Sequence, residues 1–432
     1  MKKILFVLWS ACWLLMAFPV HAGVKIAHWL APSGATVFFV ESHDLPMIDA
    51  QVEFPAGSAF DPAGKAGVAS LAQGLLDAGA GNLDEEKLAE SIADLGAQLS
   101  GSADNDRAGL SLRSLSSVKE REAALALMQT MLAKPAYSEA ALAREKGRAI
   151  SALQEAETRP DAIAAKRFAA AIYPNHPYGV SPDVASVSAI TRDDLISFHH
   201  ARYVANHAIV SIIGDVTRVE AEAIAQRLTA ELPSSSDAIN LPAITLPKAD
   251  TIRVAHPAAQ SHIYVGMPGI PRGDPDYFPL LVGNYTLGGG GFVSRLMNEV
   301  REKRGYAYSV FSYFMPRKQA GPFEIGLQTK REQSGDALKV VNEVLTGFLK
   351  SGPTPSELKA AKQNLVDGLA LRLDSNAELL GYLSLIGFYG LPVDYLDTFQ
   401  AKVNAVTAQQ IRDAFARHVK PENLVTVIVA GD

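Results

Sequence analysis

Apolar and polar positions along this chain fall into two recurring patterns. The runs KIAHWLA (from Lys25), TVFFVES (from Thr36) and IDAQVEF (from Ile48) are short and strand-like. EEKLAESIADLGAQL (from Glu85), SVKEREAALALMQTMLA (from Ser117) and SEAALAREKGRAISALQEAE (from Ser138) place apolar residues at three- and four-residue spacings with few breakers, which predicts helices. GDALKVVNEVLTGFLKSG (from Gly335) and TPSELKAAKQNLVDGLALRL (from Thr354) do the same later in the chain. GKAGVASLAQGLLDAGA, Gly64 to Ala80, predicts one more helix, opened by glycines, with Val68, Leu71, Leu75 and Leu76 as its apolar stripe. Strands and helices are segregated, so the expected fold class is α+β, with helices packed on one face of a mostly antiparallel sheet.

The pattern occurs twice. MIDAQVEFPAGSAFDPAGKAG (from Met47) and SHIYVGMPGIPRGDPDYF (from Ser261) each give a strand-like run, a Pro/Gly turn, an Asp-Pro pair and a helix. FHHARYVANHAIVSIIGDV (from Phe198) and AFARHVKPENLVTVIVAGD (from Ala414) each give a helix end, a polar turn, a buried strand and Gly-Asp. The openings are offset by 214 residues, Met47 to Ser261, and the closings by 217, Gly214 to Gly431. Nearly equal offsets at both ends predict a duplicated domain. Between the copies, ELPSSSDAINLPAITLPKAD (from Glu231) is rich in serine and proline without a period, which marks a linker. The expected units are an N-terminal domain over 23–232, a linker over 233–250 and a C-terminal domain over 251–432. The 432 residues are too many for one ordinary core and suit two domains of about 200.

The first 22 residues, two lysines before an apolar run that ends in Val20-His21-Ala22, have the layout of a secretory signal peptide cleaved after Ala22. The expected localisation is therefore the periplasm. Cys12, inside that segment, is the only cysteine, so the remainder supports neither disulfides nor thiolate chemistry. The formal net charge is −6, and two units more negative without Lys2 and Lys3. That balance gives no basic patch for nucleic acid. No later segment is long and apolar enough to predict a membrane span.

Three stretches now carry a family resemblance: GSAFDPAGKAGVASL, HPYGVSPDVASVSAITRDDLISFHHARYVANHAIVSIIGDV and NYTLGGGGFVSRLMNEVREKRGYAYSVFSYF. The chain resembles the pitrilysin/insulinase peptidases, especially the short two-domain members related to the mitochondrial processing peptidase. Active members carry an inverted zinc motif, H-x-x-E-H. It supplies two imidazoles on one helical face and a carboxylate that activates the bound water. Aligned on Gly67, those positions fall on Ser70, Gln73 and Gly74, and the later ligand glutamate falls on Ala152, seven residues after Glu145. None of these four can hold zinc in the family's manner. The resemblance therefore implies no metal in this chain. His199 and His200 are adjacent and diverge on a helix, which reads as surface histidines or carbonyl caps, and His207 lies beyond the turn. No G-x-S-x-G elbow is present, and Glu85-Glu86 and Asp193-Asp194 sit in first turns of helices, where they favour the dipole.

The second half keeps what the first lacks. Gly288, Gly289, Gly290 and Gly291 form a run that implies a mobile or closely approached backbone; without a following Gly-Lys-Ser/Thr it is no phosphate loop. In the family a glycine-rich loop at this place touches the substrate peptide. Arg301 and Tyr308 match a family arginine and tyrosine that face the zinc across a closed cavity, with Arg304 and Tyr306 as the register-shifted rivals. A tyrosine hydroxyl can donate to a forming oxyanion, and a fixed guanidinium can hold peptide carbonyls. The resemblance implies a subunit without metal that binds peptide and stabilises the transition state. Its partner would be a homologous H-x-x-E-H chain carrying the zinc. The alternative is a wholly non-catalytic binding or scaffold homologue.

Overall fold

The computed structural model describes residues 24–430. The expected signal segment and the closing Gly431 lie outside the described residues. Among the described residues, eleven strands form two sheets. The first contains β1 (Ala27–Leu30), β2 (Thr36–Glu41), β3 (Met47–Phe54), β4 (Gln98–Ala103), β5 (Ala108–Leu115) and β6 (Ile209–Gly214), in the order β1-β2-β6-β3-β5-β4. The second contains β7 (Asp250–Val254), β8 (Gln260–Pro268), β9 (Ala307–Phe314), β10 (Pro322–Lys330) and β11 (Val425–Val429), in the order β7-β11-β8-β10-β9. In each sheet the strand that closes the repeat, β6 or β11, runs parallel to the opening strand and antiparallel to the next. All other pairs are antiparallel. Apart from the extra edge strand β1, the two topologies coincide, as expected for a duplicated α+β fold.

Most of the helices expected from periodicity form: Val118–Ala133, Glu139–Ala156, Ser334–Ser351 and Pro355–Ala370. Two are shorter than their patterns. The glycine-opened helix spans only Val68–Gly74; the Asp61 carboxylate caps it by accepting from the amides of Gly67 and Ala69, both at 2.7 Å. The helix from Glu85 ends at Asp94, because Gly96 turns the backbone to φ +60° and releases β4. β4 is mostly exposed and polar, so it lacks the alternation that marks a strand; it is held by backbone pairing with β5. Residues 233–249 form neither helix nor strand and lie along the junction, where the carbonyl of Leu241 accepts from Gln319 and that of Pro242 from His176.

Both sheets carry apolar side chains on both faces. In β2, Val37 and Phe39 enter the core made with the first half's own helices, while Phe38 and Val40 point the other way. Helix Asn376–Tyr389 of the second half covers that other face, and Gly387 admits it: a Cβ there would stand 2.6 Å from Ile209 and 2.7 Å from Phe38. The exchange is mutual. Helix Pro160–Ile172 of the first half covers Val425, Val427 and Val429 of β11, with the Phe168 ring stacked 5.4 Å from Tyr264 and seated over Gly266. The expectation of helices on one face thus holds for each half's own helices, and the second face is closed by the other half.

Of the two expectations for His199, the carbonyl cap is the one found, and the residue is buried rather than at the surface. Its Nε2 donates to the carbonyl of Leu132 at 2.9 Å, and its ring stacks on Tyr203 at 4.6 Å. Burial lowers its pKa from 6.5 to about 4.

Two outcomes follow. Phe168→Ala should cost about 3–5 kcal/mol of stability in urea unfolding, because it empties the contact that fixes an exchanged helix; a loss under 1 kcal/mol would show that this helix does not belong to the cooperative unit. For His199, the unfolded chain binds the extra proton and the folded chain does not between pH 6.5 and 4, so stability falls as the pH drops through that window. Between pH 7.5 and 5 the contribution is about 2 kcal/mol. His199→Phe should flatten that part of the acid limb in melts at a series of pH values, and an unchanged limb would contradict the assignment.

Candidate functional site

Helix Val68–Gly74 and helix Glu139–Ala156 run beside each other. Ser70, Gly74 and Ala152 line one cavity between them, with a volume of about 510 Å³. Its remaining wall is largely apolar, including Leu71, Leu75, Leu153 and Val187. Small side chains at three facing positions leave this space open. Gln73 does not join them. Its amide lies over β4, where Gly101 makes room for it: a Cβ on Gly101 would stand 1.5 Å from Gln73 Nε2. Glu145 reaches the rim but is engaged by Arg144 at 3.0 Å and Arg148 at 2.8 Å. A serine hydroxyl, a glycine and an alanine offer no imidazole, thiolate or carboxylate, so these residues do not fit a zinc ion. The cavity suits an apolar side chain better than a cation.

The second cluster lies between two wide turns. The amide of Gly290 donates to Tyr285, and that of Lys303 to Asn298, each five residues back. Such turns recur at functional sites. The glycines between them are required by packing more than by mobility. A Cβ at Gly288 would stand 2.5 Å from Ser312 Oγ, at Gly289 2.7 Å from Asn284 Nδ2, and at Gly290 2.6 Å from the carbonyl of Tyr285. Gly291 faces open space at φ +60°, a conformation that suits glycine. Asn284 anchors the arrangement, donating to the Ser312 carbonyl at 2.8 Å and accepting from its hydroxyl at 2.7 Å.

Immediately after the glycines stands Phe292, 65% exposed. The Arg301 guanidinium lies 4.7 Å from its ring centroid and 5.0 Å from that of Tyr308, which is 83% exposed. The fold therefore brings Arg301 and Tyr308 into contact and adds Phe292, whose signal in the sequence was a large apolar residue directly following four glycines. Arg301 has only a loose contact with Glu302, at 3.6 Å. The rival pair is otherwise engaged: Arg304 binds Glu299 at 2.7 Å, and Tyr306 packs into the second core. Cation–π contacts at exposed sites are worth about 0.5–1 kcal/mol, enough to bias the orientation of a guanidinium without burying it.

Among the described residues, one group could gather a cation by distance, Asp274, Asp276 and His418. Arg417 binds both oxygens of Asp276, at 2.8 and 2.7 Å, and His418 adds a bond at 2.8 Å, so this cluster reads as an ion-pair network.

The sequence matches the profile of the insulinase family, peptidase family M16, over residues 37–181, and that of the peptidase M16 inactive domain over 189–365. Among solved structures it resembles the crystal structure of a peptidase M16 inactive domain from Pseudomonas fluorescens. The identity is 37%, the TM-score 0.90, and the match covers 94% of this chain and 98% of that one. An uncharacterized zinc protease of Mycobacterium leprae is 32% identical over 270 residues, 58% of this chain and 58% of that protein, so little more than half of that relative is matched. A protein of Helicobacter pylori described as a non-peptidase homologue is 24% identical over 91% of each chain.

The purified chain is expected to retain no stoichiometric zinc after dialysis, as measured by elemental analysis. One tightly held zinc per chain, lost on substitution around Ser70 or Ala152, would overturn the reading of that cavity.

Proposed function

Because this chain belongs to the insulinase peptidase family, M16, and lacks the family's zinc motif, we propose that it is the non-metal subunit of a heterodimeric periplasmic metallopeptidase. A homologous H-x-x-E-H subunit would hold the zinc. This chain would contribute peptide binding and transition-state stabilisation, and would hydrolyse nothing alone.

One observation carries the reading. Arg301 and Tyr308 stand together on the surface with their polar groups largely unspent, although the cavity at the zinc positions has no ligand to offer. Among the described residues the Tyr308 hydroxyl has no hydrogen-bond partner, so it can donate to a carbonyl oxygen as it gains charge. The Arg301 guanidinium, held between two rings, can hold peptide carbonyls without deprotonating. An exposed tyrosine stacked on an arginine gains little for folding, which favours a binding role. A second reading, a wholly non-catalytic binding or scaffold protein, draws support from the Helicobacter pylori relative described as a non-peptidase homologue.

Co-expression with an H-x-x-E-H homologue should give a 1:1 complex in gel filtration that cleaves peptides. In that complex Tyr308→Phe should lower kcat by on the order of 10²-fold, since it removes one donor aimed at developing charge. Arg301→Ala should lower kcat/KM through lost holding and orientation. Thermal melts should be unchanged, as both side chains lie outside the cores. If both variants stay assembled and within about twofold of the wild type, the chain serves as a wall of the chamber and the scaffold reading prevails.

A further inference from the structure

A second cavity, of about 420 Å³, opens at the seam between the two halves. It shares no lining residue with the Ser70 cavity. The first half contributes the turn from Asp104 to Arg107, and the second contributes Arg272, Arg317 and Tyr389. The main chains of Arg272 and Arg317 are joined where the amide of Arg272 donates to the carbonyl of Arg317 at 2.7 Å, and both residues line the cavity. Aromatic faces steady both guanidiniums. Arg272 lies 5.4 Å from the ring of Tyr389, and Arg317 lies 4.9 Å from that of Tyr178.

These two arginines differ from Arg107, the other arginine in the cavity wall, in forming no direct ion pair among the described residues. Arg107 pairs with Glu53 at 2.9 Å and with Asp104 at 3.2 Å. Among the described residues, neither Arg272 nor Arg317 forms an ion pair, and Arg272 Nε and Arg317 Nη1 are shielded from solvent without an acceptor. The acids in the wall are committed elsewhere. Asp106 accepts from the hydroxyls of Tyr178 and Tyr389 and from the amide of Lys318, and Asp104 accepts from the amides of Asp106 and Arg107. Burial raises the pKa of Glu324, and the charge of Arg317 opposes that shift. Two forked donors with unspent N–H groups match the planar, two-oxygen geometry of a carboxylate. Ile270, Leu280, Leu281, Phe314 and Met315 give the wall an apolar side, beside Asn284 and Tyr277. The volume is within the range of small-ligand sites.

We propose that this seam cavity binds an organic carboxylate with an apolar body, of the kind presented by the C-terminus of a short peptide or by a free N-acyl amino acid. The carboxylate would sit on Arg272 and Arg317, and the body against the apolar wall. Because the halves meet here, an occupant would brace them against each other. The proposal concerns the single chain and does not depend on a zinc-bearing partner.

Calorimetric titration of the full chain tests it with N-acetyl-leucine and its neutral isostere N-acetyl-leucinamide. The acid should bind at least tenfold more tightly than the amide. Arg272→Gln with Arg317→Gln should abolish that preference, and Arg317→Lys, which keeps the charge and loses the fork, should retain part of it. Melting temperatures of the variants without probe verify that they are folded. A pentapeptide free acid compared with its C-terminal amide separates the sources: preference for the peptide acid supports capture of a chain end, and binding of N-acetyl-leucine with exclusion of the peptide supports a free small acid. Equal affinity for acid and amide, an acid preference that survives the double substitution, or binding of inorganic phosphate in place of either carboxylate would overturn the proposal.

Discussion

Each sheet in this protein carries apolar side chains on both faces, and neither half covers both with its own helices. The alternation within β2 shows the constraint: Val37 and Phe39 face one core, Phe38 and Val40 the other. Burial of apolar surface drives folding, so an uncovered face carrying Phe38, Val40 and Ile213 would be costly. The solution is reciprocal. Each half lends one helix to the other's sheet, and a glycine at each crossing, Gly266 in a strand and Gly387 in a helix, removes the side chain that would hold the layers apart. The two halves therefore stabilise one another, and the linker segment is tied to the junction by its own backbone carbonyls.

That exchange also explains why buried charge gathers at the seam. Glu53 and Asp49 lie on the strand face that meets the other half, paired with Arg107 and Arg113, and Ser384 of the exchanged helix bonds to Glu53. Burial raises the pKa of Glu53 although Arg107 opposes the shift. Such pairs add little net stability, since desolvation offsets the attraction, but an unpaired partner would be expensive. Both pairs lie within the first half, and Ser384 ties one of them to the second by bonding to Glu53 and to Arg107. Asp106, with its acceptors shared among Tyr178, Tyr389 and Lys318, plays the same part with hydrogen bonds.

Duplication supplied two copies of one frame, and the chemistry diverged within it. In the first copy the Asp-Pro turn leads to a short helix whose open side carries Ser70 and Gly74, and beside Ala152 these small residues leave an apolar hollow. In the second copy the Asp-Pro turn leads through helix Tyr277–Asn284 to four glycines and then to an exposed cluster of Phe292, Arg301 and Tyr308. One copy offers shape without charge, and the other offers donors without a metal.

The sequence by itself determined what depends on local periodicity and residue identity. It specified the duplication, the α+β class, the long helices and the absence of zinc ligands at Ser70, Gln73, Gly74 and Ala152. Such features are decided by neighbours a few residues apart or by the chemistry of single side chains. β4 was not legible, because an exposed, polar strand is held by backbone pairing rather than by alternation. The departure of Gln73 toward Gly101 was not legible either, since it depends on a strand nearly thirty residues away. Only the tertiary structure decided that Phe292 joins Arg301 and Tyr308, that His199 is buried, and that Arg272 and Arg317 share one cavity. Each of these is a meeting of segments brought together by the sheets and the exchanged helices, and packing at that range leaves no period in the chain.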